Sequence, residues 1–536
     1  MNDWHTNTLL KNILTKGYFP KELPPCFNTE SFGEFVFSNI TLPKEFVSEE
    51  KPAKACTHNF ARAGSLHRKL TLVNPVPFFH LARCISDNWA EISKSIQKSG
   101  LSISIPKEGN DAERAVVPSK AQSELVDQRA RSRVSYSSLL KADIANFYPT
   151  IYTHSIPWAL HGKVIAKNDR SDHLIGNKID RLVRNCQDEQ TMGIPIGPDT
   201  SLVLAELVLS ALDERLQKQF AQLKVDIAGF RYYDDYELSF ASFATSDRIL
   251  AFIQQFLGEF ELALNPKKTE IISLPSFLEF PWVHEIRTFV FRDGSAQRSD
   301  LINFFELIFE LVKGFPDQHI VKYALTRLYG DNLNIRSDNW QLVETLLLQT
   351  MMLEPGGIAA GTRVLLEQQQ LDRDVEVELV KNTLQAIISR QAPRGHSSEI
   401  AWALWTANAL KVKMSDEISE AITAIDDSVV ALLALDSMEK GLLKVNPINL
   451  TDWKHYLRAE ELYGSQWLLS YEAGRREWMG HHSYINSDEC FGFLNENKVT
   501  FYTGIGVDPL KILEKKLESM SPFEYKNYEP EFWDEI

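Results

Sequence analysis

The sequence predicts an α+β fold in two parts, a mixed strand-and-helix region over residues 1–295 and an all-α region over 296–536. Short strand patterns alternate with longer helical ones between Leu139 and Ile272, the texture of a sheet carrying helices. Beyond about residue 296 the apolar residues fall only at helical spacing. The charge shifts at the same place: residues 1–300 hold 35 basic and 36 acidic side chains, residues 301–536 hold 22 and 36. At about 150 residues per domain, a chain of 536 residues has room for three or four units.

In chain order, Gly17-Tyr18-Phe19-Pro20 and Leu23-Pro24-Pro25 break any early helix, because proline lacks an N–H donor and restricts its predecessor. His67–Val73 reads as a strand closed by Asn74-Pro75, and residues 106–120 as a polar loop. Leu139–Ile144 is a strand, residues 157–167 form a helix after Pro157, and Ser201–Phe220 has helical spacing in Leu204, Leu207, Val208 and Leu212. Amphipathic helices follow over Leu301–Val312, Ile400–Leu410 and Ile418–Leu433, with breaks at Gly314, Pro355-Gly356-Gly357, Pro393 and Pro447. Helices in succession predict a bundle or an α-solenoid, and no repeated period decides between them. The aromatic, acidic segment Tyr525–Ile536 is a docking tail or a frayed end.

Composition excludes several classes. With 44% hydrophobic and 24% charged residues the chain is globular rather than disordered or fibrous. Its net charge of −15 argues against a protein that coats nucleic acid or clings to anionic lipid. Residues 51–200 alone carry 21 basic and 14 acidic groups, so a polyanion site is expected there first. No run nears the roughly 18 apolar residues of a membrane span, and Met1-Asn2-Asp3-Trp4-His5 lacks a signal-peptide pattern. The five cysteines have no metal-ligand spacing, and His481 and His482 near Cys490 are too few for a zinc site. The expectation is a soluble protein of a reducing compartment with no membrane partner.

Phe230–Phe240 has the pattern of a β-hairpin with Asp234-Asp235 at its tip. Paired carboxylates there are oxygen ligands suited to Mg²⁺, although Asp is also an ordinary turn residue. Asp143, at the exit of the Leu139–Ile144 strand, is placed to meet them across adjacent strands; alone it would equally cap a helix. Two metal ions about 4 Å apart on such ligands activate an attacking hydroxyl and neutralise a leaving pyrophosphate. Between these acids, Gly193-Ile194-Pro195-Ile196-Gly197 is a bare, rigid stretch feeding a helix. Lacking Cβ atoms, it admits a base or a sugar closely, or it is a plain connector. Asn265-Pro266-Lys267-Lys268-Thr269 sets a lysine beside a triphosphate, or is a solvated turn.

Asp143 with Phe147-Tyr148, the Gly193–Gly197 segment, Tyr232-Tyr233-Asp234-Asp235 and Asn265–Thr269 occur in the order of reverse transcriptase palm motifs. Tyr152–Trp158, continuing to Gly162-Lys163 and Lys167, is similar to the abortive-infection reverse transcriptases of the AbiK type and its P2-prophage relatives. The resemblance covers about residues 60–275. It implies right-hand fingers and palm followed by a HEAT-like helical domain. It implies Asp143, Asp234 and Asp235 as catalytic metal ligands, joined by the Ile144 carbonyl, and two Mg²⁺ ions replaceable by Mn²⁺. Tyr148 matches an aromatic gate that crowds a 2′-hydroxyl, or is a core tyrosine. Arg68 and Lys69 match a fingers segment near the triphosphate, or form an exposed strand edge. Lys268 matches a lysine near the leaving phosphates, and Gly193, Pro195 and Gly197 the nucleotide-side loop. The partners implied are dNTPs, a single-stranded DNA product attached to a protein hydroxyl, and further copies of the chain in a trimer or hexamer. The setting implied is antiphage defence in bacterial cytoplasm.

Two features depart from template-copying reverse transcriptases. Ile196 stands where those usually carry glutamine, and the acidic region after residue 300 offers no basic thumb. The rivals are a template-dependent reverse transcriptase of retron or intron type and a catalytically silent palm serving as a nucleic-acid sensor or scaffold.

Overall fold

The period-two alternation of Ser138–Asp143 (β5), Ile227–Tyr232 (β6) and Asp235–Phe240 (β7) sorts side chains onto two faces of one antiparallel sheet. With Glu270–Ser273 (β8) the strand order is β6-β7-β5-β8. Leu140, Ala142, Tyr236, Leu238 and Phe240 are buried on one face. That face packs on the helices Asp199–Leu223 and Phe243–Glu259: the Tyr236 hydroxyl donates to Asp213 at 2.8 Å, and the Ser138 and Ser246 hydroxyls lie 2.8 Å apart. Each such large apolar side chain removed from water contributes about 1.5–3 kcal/mol. The other face carries Asp143, Lys141, Asp235 and Glu237. The model is a computed structural model describing residues 6–38, 41–48, 50–62, 66–110, 114–330, 333–480 and 483–520. His481, His482 and the Tyr525–Ile536 tail lie outside the described residues.

The N-terminal part adds two ribbons. Cys56–Ala61 (β1) pairs antiparallel with His67–Leu72 (β2), and Asn74 then caps the helix Pro75–Asp87 by accepting from the Val76 N–H at 3.1 Å. Residues 106–120, expected to be a loop, contain a short antiparallel ribbon of Pro106–Glu108 (β3) and Val116–Pro118 (β4). Two three-residue strands leave almost no period to read. The helix expected over 157–167 is two, Ser155–His161 and Lys163–Asn168, because Gly162 takes φ +85° between them.

From Gln297 to Met520 the described residues form helices with no strand between them. The expected breaks hold: one helix ends at Gly314, another begins at Gly356, and Pro393 and Pro447 fall in 3₁₀ turns. These helices return to the N-terminal elements. Trp467 Nε1 donates to the Leu72 carbonyl at 2.9 Å, and Tyr18, Phe19, Phe501 and Trp467 share one aromatic cluster. His58 Nδ1 lies 2.9 Å from Asp427 Oδ2, both buried. Asp427 also caps Ser428–Glu439, its Oδ1 accepting from Val429 and Val430.

Burial alone would raise the Asp427 carboxyl, but His58 and the helix N–H groups hold it below its usual value. A lowered carboxyl stabilises the fold above the unfolded value, near pH 4, and loses that contribution as pH falls through the native one. Asp427→Asn is therefore expected to cost about 3 kcal/mol at neutral pH. In urea titrations the difference from wild type should shrink steadily below about pH 4.

Candidate active site

The antiparallel register brings the acids together. Asp143 on β5 stands directly opposite Asp235 on β7, so both side chains leave the same face of the sheet. The hairpin turn is Tyr233-Asp234, one residue earlier than the expected tip, because Asp235 already pairs with Tyr232. Asp143 and Asp234 are each 4% exposed, so neither carboxylate projects into solvent. Past Asp143 the chain forms a bridge from Ile144 to Leu264, flanked by Asn265 N–H to Asp143 O at 2.8 Å and Ala145 N–H to Ala263 O at 2.9 Å. In that pattern the Ile144 carbonyl turns away from Leu264, toward the edge where the continued register sets Asp234.

The same bridge delivers Lys268. Asn265 makes a tight turn, its Oδ1 accepting from Lys267 and its carbonyl from Lys268 and Thr269. Lys268 Nζ then lies 3.3 Å from Asp143 Oδ2, with its side chain 41% exposed. Asp143, Asp234, Asp235 and the Ile144 carbonyl would offer only oxygen donors, the ligand type of Mg²⁺ rather than of a softer ion.

One buried guanidinium fixes the turn. Arg231 on β6 is fully buried and uses all five N–H donors. Nε and Nη2 reach Asp213 Oδ2 at 2.9 and 2.8 Å, Nη1 and Nη2 reach the two Glu206 oxygens at 2.9 and 2.8 Å, and Nη1 also reaches the Tyr233 carbonyl at 2.6 Å. Ser104 Oγ accepts from the Tyr233 N–H at 2.8 Å while donating to Glu206. Tyr233 is thereby held at both backbone groups in the left-handed region, φ +52°. Burial opposes the charge of Arg231, but Asp213 and Glu206 push its pKa well above the ordinary value. None of Arg231, Glu206, Asp213 and Ser104 was expected at the site. The available signal was a pair of acids seven residues apart on the apolar stripe of the Asp199–Leu223 helix.

The glycine-rich segment runs between Tyr148–Ile151 and β2. Gly193 and Ile194 donate to the carbonyls of Ile151 and Tyr148 at 2.8 and 3.0 Å, and the Thr71 N–H donates to the Ile196 carbonyl at 2.8 Å. A Cβ on Gly193 (φ +82°) would lie 3.1 Å from the Pro149 carbonyl oxygen. One on Gly197 (φ +125°) would lie 2.4 Å from Pro20. The space that a side chain would need at these two positions is filled by the chain itself. Pro195 is buried between them. Arg114 locks the end of the segment through the Gly197 carbonyl at 3.1 Å and Asp199 at 2.6 Å.

Tyr148 is buried beside this loop with its ring edge-on to Phe147. Burial first, then the Asp234 and Glu206 carboxylates, push its phenol far above the usual range, so it stays a neutral donor. Arg68 and Lys69 do not act together, because neighbours on a strand point to opposite faces. Arg68 turns inward, 3.7 Å from Glu22 and within electrostatic reach of Tyr148, whereas Lys69 is exposed on the other face. Glu237, next on the acid face, is tied to Arg129 and Arg133 at 2.8 Å each.

Residues 92–315 match the family model for reverse transcriptase (RNA-dependent DNA polymerase), and this segment has a reverse-transcriptase-type polymerase fold. It contains the three aspartates, Tyr148, the glycine segment and Lys268, and leaves Arg68 and Lys69 outside. Among curated proteins, no sequence matches the chain. Similar solved structures include telomerase from Candida albicans with a fragment of telomeric RNA, at 11% identity and TM-score 0.29 over 65% of this chain and 64% of that one. Apo telomerase from Candida tropicalis matches at 12% and 0.33 over 75% and 70%. An RdRp complex matches at 11% and 0.33 over 98% and 51%. The chain thus spans slightly less than two thirds of the first telomerase.

Arg231→Lys keeps the charge but has three donors in place of a planar fork of five. It is expected to destabilise the protein by about 3 kcal/mol or more in chemical denaturation. Gly197→Ala, which changes no charge, should likewise sharply lower the yield of folded protein, because both φ and Pro20 oppose a side chain there.

Proposed function

We propose that this chain is a Mg²⁺-dependent deoxynucleotidyl polymerase of reverse-transcriptase type. It belongs, in this reading, with the abortive-infection enzymes and extends DNA without a template from a hydroxyl of the protein itself. The observation that carries the polymerase reading is the register that sets Asp143 opposite Asp235, with Asp234 in the adjoining turn and Lys268 beside Asp143. Asp143, Asp234, Asp235 and the Ile144 carbonyl would hold the ions. Bound there, Mg²⁺ supplies a lowered hydroxyl pKa and neutralisation of the leaving pyrophosphate.

The rest is done by the chain's own residues. Phosphoryl transfer needs chiefly positioning and neutralisation of charge, and a turn fixed by Arg231 and Ser104 provides the first. Lys268, half out of the protein and already next to an anion, turns from Asp143 to the phosphates of the incoming nucleotide. Tyr148, neutral and packed beneath the loop, sets the wall met by the sugar. Template independence is supported by Ile196, which is buried and offers no amide, and by the acidic character of residues 301–536. We read the helical region as HEAT-like and the active form as a trimer or hexamer.

Purified protein given dNTPs and Mg²⁺ without nucleic acid is expected to yield protein-linked, protease-sensitive DNA. Strict dependence on added primer–template would instead establish the template-copying reading. Asp234→Ala with Asp235→Ala should lower incorporation by ~10²–10³-fold or more, the scale of losing a preorganised charge-stabilising group. Full phage restriction by that double variant would identify a silent palm. Tyr148→Ala should admit ribonucleotides while Tyr148→Phe should not; unchanged dNTP selectivity in a folded Tyr148→Ala protein refutes the gate.

A further inference from the structure

His67 on β2, His396 and Glu399 come together from parts of the chain more than 300 residues apart. His67 Nε2 lies 3.1 Å and His396 Nδ1 3.5 Å from the same oxygen, Glu399 Oε1, and one donor atom from each residue falls within 4.8 Å of the others. Glu399 is 2% exposed, and its other oxygen accepts from Ser398 Oγ at 2.7 Å, which orients the carboxylate toward the two rings. His67 Nδ1 is buried with no hydrogen-bond partner among the described residues.

We propose that His67, His396 and Glu399 form a structural site for a first-row transition ion, Zn²⁺ foremost, that clamps the β1–β2 ribbon to the N-terminus of the helix Ser397–Ala409. Two imidazoles and one carboxylate are a zinc donor set, with water in the fourth position. Metal–ligand bonds of about 2.0–2.2 Å imply ligand–ligand edges near ~3.4 Å in a tetrahedron, which the 3.1 and 3.5 Å separations already bracket. The triad holds a single carboxylate, buried at Glu399, so it presents donors without the repulsion of an acidic cluster. Two rearrangements are required. The rings are stacked 3.6 Å apart and 23° from parallel, and a ligand nitrogen must aim its lone pair in the ring plane. His396, 18% exposed and on the loop before the helix, turns its ring out of the stack and gives up the hydrogen bond that its Nδ1 donates to Gln391 Oε1 at 2.9 Å. His67 carries its proton on Nδ1, which meets no acceptor among the described residues, and so frees Nε2 for the ion.

The site adjoins Arg68, the next residue on β2, and the contacts that already join the ribbon to this helix. These are the Asn59 amide to the Gly395 carbonyl at 2.7 Å and the Ala61 N–H to Ser398 Oγ at 3.0 Å. Its occupancy would fix the tilt of the ribbon against the helical region, without entering the polymerase chemistry.

The test is metal stoichiometry on the full chain, stripped with chelator, titrated with ZnCl₂ in excess Mg²⁺, and repeated with Co²⁺ for its visible absorption. One equivalent per chain is expected in wild type and in the Asp234→Ala, Asp235→Ala protein. His396→Ala and Glu399→Gln should each weaken binding by at least ~10²-fold, since even outer-shell changes cost 10–100-fold. His396 sits at the surface, and near-UV circular dichroism of His396→Ala verifies that the fold is retained. Wild-type protein that takes up no stoichiometric zinc, or variants that retain it unchanged, would overturn the site and leave a hydrogen-bonded triad.

Discussion

The hairpin that carries Asp234 and Asp235 depends on one buried cation. A two-residue turn with Tyr233 in the left-handed region is costly for a bulky residue and has no intrinsic reason to hold one shape. Arg231 supplies that reason by spending its fifth hydrogen bond on the Tyr233 carbonyl. The other four go to two carboxylates of a single long helix. Sheet, helix and turn are thus locked to each other through one planar group. The two acids outnumber the cation by one charge. Hydroxyls of Ser99, Ser102, Ser104 and Tyr236 point their protons at those acids, so the excess charge is solvated from within.

A second ion pair does similar work for the glycine segment. Arg114 and Asp199 join the start of the long helix to the Gly197 carbonyl and to the N-terminal chain at Phe19. The glycines are explained by this close packing. Their missing side chains let Pro20 and Pro149 approach, and the resulting loop is a spacer of fixed thickness between β2 and Tyr148.

The helical region is equally part of this frame. It holds the β1–β2 ribbon through His58–Asp427, Trp467–Leu72 and the His67–Glu399 contact. The ribbon therefore takes its position from helices that follow it by more than 300 residues. A ribbon of only two strands is marginal by itself, and this docking supplies the burial it lacks.

Local pattern was enough to place β5, the hairpin, the long helix and the succession of later helices, because periods of two and 3.6 are properties of the chain itself. The same patterns singled out Asp143, Asp234, Asp235 and Lys268 as candidates, because carboxylates and a lysine declare themselves by residue type. Other features have no local signature. The burial of Asp234, the one-residue shift of the turn and the five-fold use of Arg231 arise where distant segments meet. So do the packing of Pro20 against Gly197 and the meeting of His67 with Glu399. Each is fixed by side chains competing for the same buried volume and the same hydrogen-bond partners, and that competition exists only once the tertiary fold has formed.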